Sequence, residues 1–232
     1  MQSKASEIAA VPWAVRDVWQ GLALLGALLI MLAGLPLLAP YVAGGLDLGW
    51  LVLGGEVLLL APVWSLAVRK YGASPQMLGL RRFKAEALGL GCILMVLSFG
   101  FNLIYGLFLG LFDLRIQPDL SPMLAGLDAP WPLLVGGALV APLFEEVFFR
   151  GFVFAGLRVR YGWRRAAAVS AGLFAVVHLT PTAIIPIFIL GYIFAYLYQR
   201  SGSLWPAILM HVATNTFALG AAYLVASGRL GL

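Results

Sequence analysis

Charged side chains are scarce in this sequence. Asp, Glu, Lys and Arg together make up 11% of its 232 residues, where a soluble domain carries about 25%. That shortage excludes a water-soluble globule, because there is too little polar surface to coat one. Cysteine is nearly absent. The single Cys92 lies inside an apolar stretch, so no intrachain disulfide can form and cysteine usage says nothing of redox compartment. Histidine is equally rare, with only His178 and His211. There is no repeat at a fixed period, no low-complexity tract, no long linker and no HEXXH zinc-protease string. The opening residues MQSKASEIAAVPWAVRD do not read as a signal peptide. The apolar run behind Asp17 carries no charge until Asp47, longer than the h-region of about 7–15 residues that such a peptide has. It reads as a first membrane anchor.

What the chain has in quantity is hydrocarbon. Hydrophobic residues make up 62% of it and the mean hydropathy is +0.97, so lipid is its expected solvent. A helical span needs roughly 20 apolar residues. Seven such segments are predicted, over residues 18–39, 50–68, 87–112, 131–157, 166–182, 183–198 and 204–226. The expected fold is all-α: a polytopic transmembrane bundle of about seven helices, or eight, in one membrane-embedded domain, 1–232. The third segment is long enough to tilt or to break near Gly106 or Gly110. The fifth and sixth meet at HLTPTAIIP, whose prolines predict a tight turn or a broken helix.

The net charge of +5 is distributed unevenly. With the N-terminus inside, the inner segments hold Lys4, Arg16, Arg69, Lys70, Arg81, Arg82, Lys84, Arg158, Arg160, Arg164, Arg165 and Arg200, and the outer ones only Arg115 and Arg229. A Lys/Arg bias of 12 against 2 in short loops predicts a cytoplasmic N-terminus and an outer C-terminus. It also reads the basic patches as anchors to lipid headgroups. No aromatic-basic platform accompanies them, so nucleic acid is not an expected partner.

Ionisable groups in hydrocarbon are costly and mark function. Glu56, Glu145, Glu146, Arg150, His178, His211 and Asn215 all fall deep in predicted spans. Helical rise places Glu145, His178 and Glu56 each about 20 Å from the inner charges, His211 roughly 16 Å and Asn215 roughly 22 Å. Groups from separate helices thus occupy one layer and can converge. Glu146 and Arg150 stand at i,i+4 with the acid first, the favoured order for an ion pair. Glu145 is rotated about 100° away and has no such partner, which makes it the better candidate for chemistry. His211 and Asn215, also at i,i+4, are expected to face one point. Pro142, a turn before the glutamates, frees a backbone carbonyl and can kink the helix. Glu56 is either a neutral acid bonded to a neighbouring helix or a supporting group on the same cavity.

Three strings occur in order on successive helices: EEVFFR (145–150), fitting EExxxR; FAVVH (174–178), fitting FxxxH; and HVATN (211–215), fitting HxxxN. With RSGSLWPAILMH (200–211) and LGLRR (78–82), they make a catalytic motif region, roughly 130–220, that resembles the CPBP family: CAAX prenyl proteases and bacteriocin-processing enzymes, also called Abi proteins. Ser201 stands where that family's loop has Thr. The resemblance implies an intramembrane endopeptidase acting on a membrane-associated peptide or protein, with the lipid bilayer its other partner and a bacterial inner membrane its expected location. It implies that Glu145 and His178 activate water while His211 and Asn215 bind the tetrahedral oxygen, with Glu146, Arg150 and Phe174 in support. No cofactor is expected. Were a divalent metal such as zinc present, Glu145, His178 and His211 would be its ligands. Two other readings stay open on the residues: a transporter using the buried polar layer as a path, which predicts repeated halves, and a catalytically silent scaffold or immunity protein.

Overall fold

A computed structural model describes residues 10–34 and 48–230. The end of the first predicted segment, with Lys4 and Asp47, lies outside them. Among the described residues there is no strand. In chain order the helices are α1 (Val15–Gly34), α2 (Gly49–Arg69), α3 (Glu86–Gly110), the short α4 (Ser121–Ala125), α5 (Trp131–Tyr161), α6 (Trp163–Val177), α7 (Pro181–Ser201) and α8 (Trp205–Ala226). Six of them, all but α4 and α6, are long and apolar enough to cross a membrane, and the protein is a multi-pass integral membrane protein. The fifth predicted segment, 166–182, is α6, shorter than expected although it still carries the chain from the face where α5 ends toward that where α7 starts. At 15 residues α6 reaches about 22 Å, less than a hydrocarbon core of about 30 Å. The prolines explain its early end: it stops at Val177, Leu179 takes a positive φ of 54°, and a 3-10 turn at Pro181–Ala183 starts α7. The third segment runs unbroken through Gly106.

Burial shows which helix lies at the centre. Half of the apolar window of α5 is buried inside the protein, against 17% for α3. Around α5 pack α2, α6, α7 and α8, while α3 lies outside against α7 and α8. Ile93, Val96, Leu97, Leu103, Ile104 and Leu107 of α3 are exposed. In water that surface would be unstable; in a bilayer it is the lipid-facing side.

The alternating helices bring the ends of α2, α5 and α7 and the starts of α1, α3, α6 and α8 to one face. Asp17 clamps two of these ends. Its carboxylate accepts from the Ala14 amide (2.9 Å), Lys70 Nζ (2.5 Å) and Tyr71 Oη (2.7 Å), capping α1 and tying it to the end of α2. The hydrogen bond to Asp17 holds the Lys70 ammonium above the ordinary lysine range.

Helix α5 is not regular. It widens into π-helix at Gly136–Val140 and again at Glu146–Phe154, a distortion frequent at functional sites. Side chains from elsewhere serve the carbonyls of the second stretch: Ser170 Oγ donates to Phe149 O (2.7 Å) and Trp13 Nε1 to Phe152 O (3.0 Å). The first stretch stands just before Pro142, which lacks an N–H and crowds the preceding turn. The helix therefore continues through the proline with an altered register.

Candidate active site

The second π-helical stretch of α5 turns Glu145 and Glu146 toward α8, and His211 lies between them. Its Nδ1 is 3.1 Å from Glu146 Oε1 and its Nε2 is 3.5 Å from Glu145 Oε2. Glu146 is fully buried and also accepts from Arg150 Nη1 at 2.8 Å, the i,i+4 pair expected from spacing. An ionised Glu146 can only accept, so His211 donates from Nδ1 and presents Nε2 to Glu145. Glu145 has no i,i+4 partner on its own helix; helix α8, distant in sequence, brings a histidine beside it.

Aromatic rings enclose this polar core. The Arg150 guanidinium stacks 4.3 Å from the Phe174 ring centre and 5.4 Å from that of Phe194. Phe194 also lies stacked on His211 at 4.9 Å, and Phe174 meets His211 edge-on at 5.7 Å and His178 at 4.7 Å. A buried cation is favoured by π faces on either side. Gly191 of α7 leaves room for it, since a Cβ there would come within 2.9 Å of Arg150 Nη2 and 3.2 Å of Ala171 Cα.

His178 ends α6. Its Nδ1 stands 2.7 Å from the Phe174 carbonyl. A carbonyl only accepts, so Nδ1 carries the proton, and the neutral ring keeps Nε2 as an acceptor. His178 does not touch His211; Phe174 stands between them. It faces instead a cavity of about 400 Å³ lined by Glu56, Glu145, Phe149 and Val177, with Val52, Gly55 and leucines of α1 and α2 forming the rest of the wall. Glu56 thus reaches the cavity that Glu145 borders.

Asn215 goes elsewhere. Its Nδ2 donates to Gly137 O at 2.9 Å. His211 and Asn215 share one face of α8, as their spacing requires, but meet α5 at different heights. The expectation of a single point is corrected, because α8 runs along α5 and neighbouring turns of one reach successive turns of the other.

Among the described residues no group of three or more His, Cys, Asp and Glu side chains is arranged to hold an ion. Nδ1 of His211 is directed at Glu146 and its Nε2 at Glu145, while Nδ1 of His178 is directed at a backbone carbonyl.

Sequence reasoning missed Phe194 and Gly191. Neither sits in a motif; each becomes visible only when α7 is packed over Arg150.

Residues 127–217 match the family described as "Rce1-like: Type II CAAX prenyl endopeptidase Rce1-like". That stretch takes in all three motifs and leaves out Glu56. Over 87 residues the chain is 29% identical to the protein of Bacillus subtilis (strain 168) named "Putative membrane peptidase YdiL". The match covers 38% of this chain and 36% of that relative, so little more than a third of the relative's length is spanned. No solved structure matches.

Proposed function

We propose that this protein, a member of the CPBP family by its residues 127–217, is an intramembrane endopeptidase that hydrolyses a peptide bond of a membrane-associated peptide or protein. The observation that carries this reading is that Glu145 and His178 line one cavity inside an apolar bundle, with His211 Nε2 3.5 Å behind Glu145. A carboxylate beside a cavity large enough for water, with a histidine acceptor on the same cavity, is the arrangement a general base needs.

In the proposed cycle Glu145 takes a proton from water as the oxygen attacks the scissile carbonyl, while Nε2 of His178 accepts the water's second hydrogen. His211 Nε2, at 3.5 Å, receives the proton from Glu145 and then donates it toward the tetrahedral oxygen. Preorganised donors at that oxygen lower the barrier. The proton finally passes to the amide nitrogen as the C–N bond breaks. Glu146, Arg150 and Phe174 hold His211 in place. No metal takes part in this scheme.

Purified protein offered a peptide library tests the reading: wild type cleaves a subset of peptides and Glu145→Ala cleaves none. Equal action of the two on every peptide would leave a silent scaffold as the better account. The Lys/Arg bias further supports a cytoplasmic N-terminus. A reporter fused after Leu232 should register the outer side; a cytoplasmic signal would reverse that orientation.

A further inference from the structure

Glu56 is the one ionisable side chain of the cavity that the motifs do not account for. It sits on α2, outside the stretch matched to the family, and α2 packs against the Ala141–Glu145 turn of α5. Its height is set by close packing: at the adjoining Gly55 a Cβ would come within 3.1 Å of Leu32 of α1. Among the described residues no hydrogen bond or ion pair engages the Glu56 carboxyl, and apart from Glu145 and His178 the cavity wall is apolar. A lone carboxylate among leucines is costly, whereas the neutral acid carries an O–H donor.

The donor matters because of what the other two groups can offer. A water poised to attack has two hydrogens and two lone pairs. One hydrogen goes to Glu145, and one lone pair goes to the carbonyl carbon. The second hydrogen goes to Nε2 of His178, an acceptor because Nδ1 donates to the Phe174 carbonyl. The remaining lone pair requires a donor. Neither an ionised Glu145 nor this tautomer of His178 supplies one, and no other polar side chain lines the cavity.

We propose that Glu56, as a neutral carboxylic acid, donates a hydrogen bond to the attacking water and so completes its orientation between Glu145 and His178. This role rests on the protease reading. It involves no covalent step; the O–H of Glu56 stays on Glu56 throughout. The cavity, at about 400 Å³, holds such a water with room for an apolar substrate side chain beside it, since a water's share of liquid volume is about 30 Å³.

The test compares wild type, Glu145→Ala, Glu56→Gln and Glu56→Leu as full-length protein in lipid nanodiscs, at matched folded protein, on a peptide that wild type cleaves. The Gln amide keeps a donor, so Glu56→Gln retains most of kcat. Glu56→Leu loses about tenfold in kcat, the worth of one hydrogen bond in the transition state, with KM little changed. Infrared difference spectra between wild type and Glu56→Gln should show a neutral carboxyl C=O band in wild type alone. This reading needs no activity and stands even where Glu56→Leu fails to fold. A wild-type kcat in Glu56→Leu, a loss confined to KM, or no neutral carboxyl band overturns the proposal. Equal rates for wild type and Glu145→Ala overturn the protease reading and this role with it, whereas loss in Glu145→Ala beside full activity in Glu56→Leu overturns this role alone.

Discussion

Asn215 serves a carbonyl that its own helix cannot. Gly137 O accepts from the Asn215 amide at 2.9 Å. The Ala141 amide, its usual α-helical donor, reaches back instead to Gly136 O. The next N–H in line would belong to residue 142, which is a proline. Pro142 and the π-helical turn thus orphan one carbonyl inside the bundle, and α8 supplies the missing donor.

This relationship predicts coupling between two residues in separate helices. Asn215→Leu should lower stability by ~1 kcal/mol or more, the cost of leaving a carbonyl unserved. In a Pro142→Ala background the restored N–H can take up Gly137 O, so the same substitution should cost less. Thermal unfolding of the four proteins in one detergent gives the cycle. Strict additivity would mean that Asn215 is not there to serve that carbonyl.

The two adjacent acids should fail in different ways. Glu146 is fully buried against Arg150 and His211. Glu146→Gln strips a buried cation of its counter-charge, a change that costs about 3–5 kcal/mol when a buried pair is broken. Low folded yield and partial activity are expected. Glu145→Gln removes the base while leaving the Glu146–Arg150 pair intact, so expression should be normal and cleavage absent. Yield by size-exclusion chromatography and cleavage of one peptide separate the two. Near-normal turnover by Glu145→Gln would remove Glu145 from the role of base.

Gly191 is predicted to be intolerant of even one methyl group. Its Cβ would collide with Arg150 Nη2 at 2.9 Å and press on the backbone of α6 at Ala171 Cα. Gly191→Ala should cost about 1–3 kcal/mol by overpacking and reduce activity through displacement of Arg150. A melting temperature equal to that of wild type would show that α6 and α7 have slack at this level.

Activity should survive dialysis against a strong chelator, because the proposed cycle uses no metal and, among the described residues, no group of three or more His, Cys, Asp and Glu side chains is arranged to hold one. Loss of cleavage that zinc alone restores would assign those three residues to a metal.

Much of the architecture was legible in the linear chain, and the reason is physical. Hydrocarbon admits only backbone that satisfies its own hydrogen bonds, so apolar runs near 20 residues could be little else but helices. The Glu146–Arg150 pair was legible for a similar reason, since i,i+4 neighbours meet whatever surrounds the helix. Where a local rule competed with another, the reading slipped. The segment 166–182 has the composition of a span, yet Pro181 and the turn at Leu179 end its helix at Val177.

What the chain alone determined is the set of rare polar residues and the layer they share, because depth along a helix follows from residue count. Which of them meet was decided by tertiary packing. The angle and spacing of α8 against α5 place His211 between Glu145 and Glu146 and send Asn215 to Gly137. The packing of α7 sets Phe194 and Gly191 around Arg150. The approach of α1 and α2 turns Glu56 toward the cavity of Glu145 and His178. Periodicity gives each side chain a height and a bearing on its own helix. Contact also requires the rotation of one helix against another, and that depends on the interlocking of many side chains at once, which no local pattern encodes.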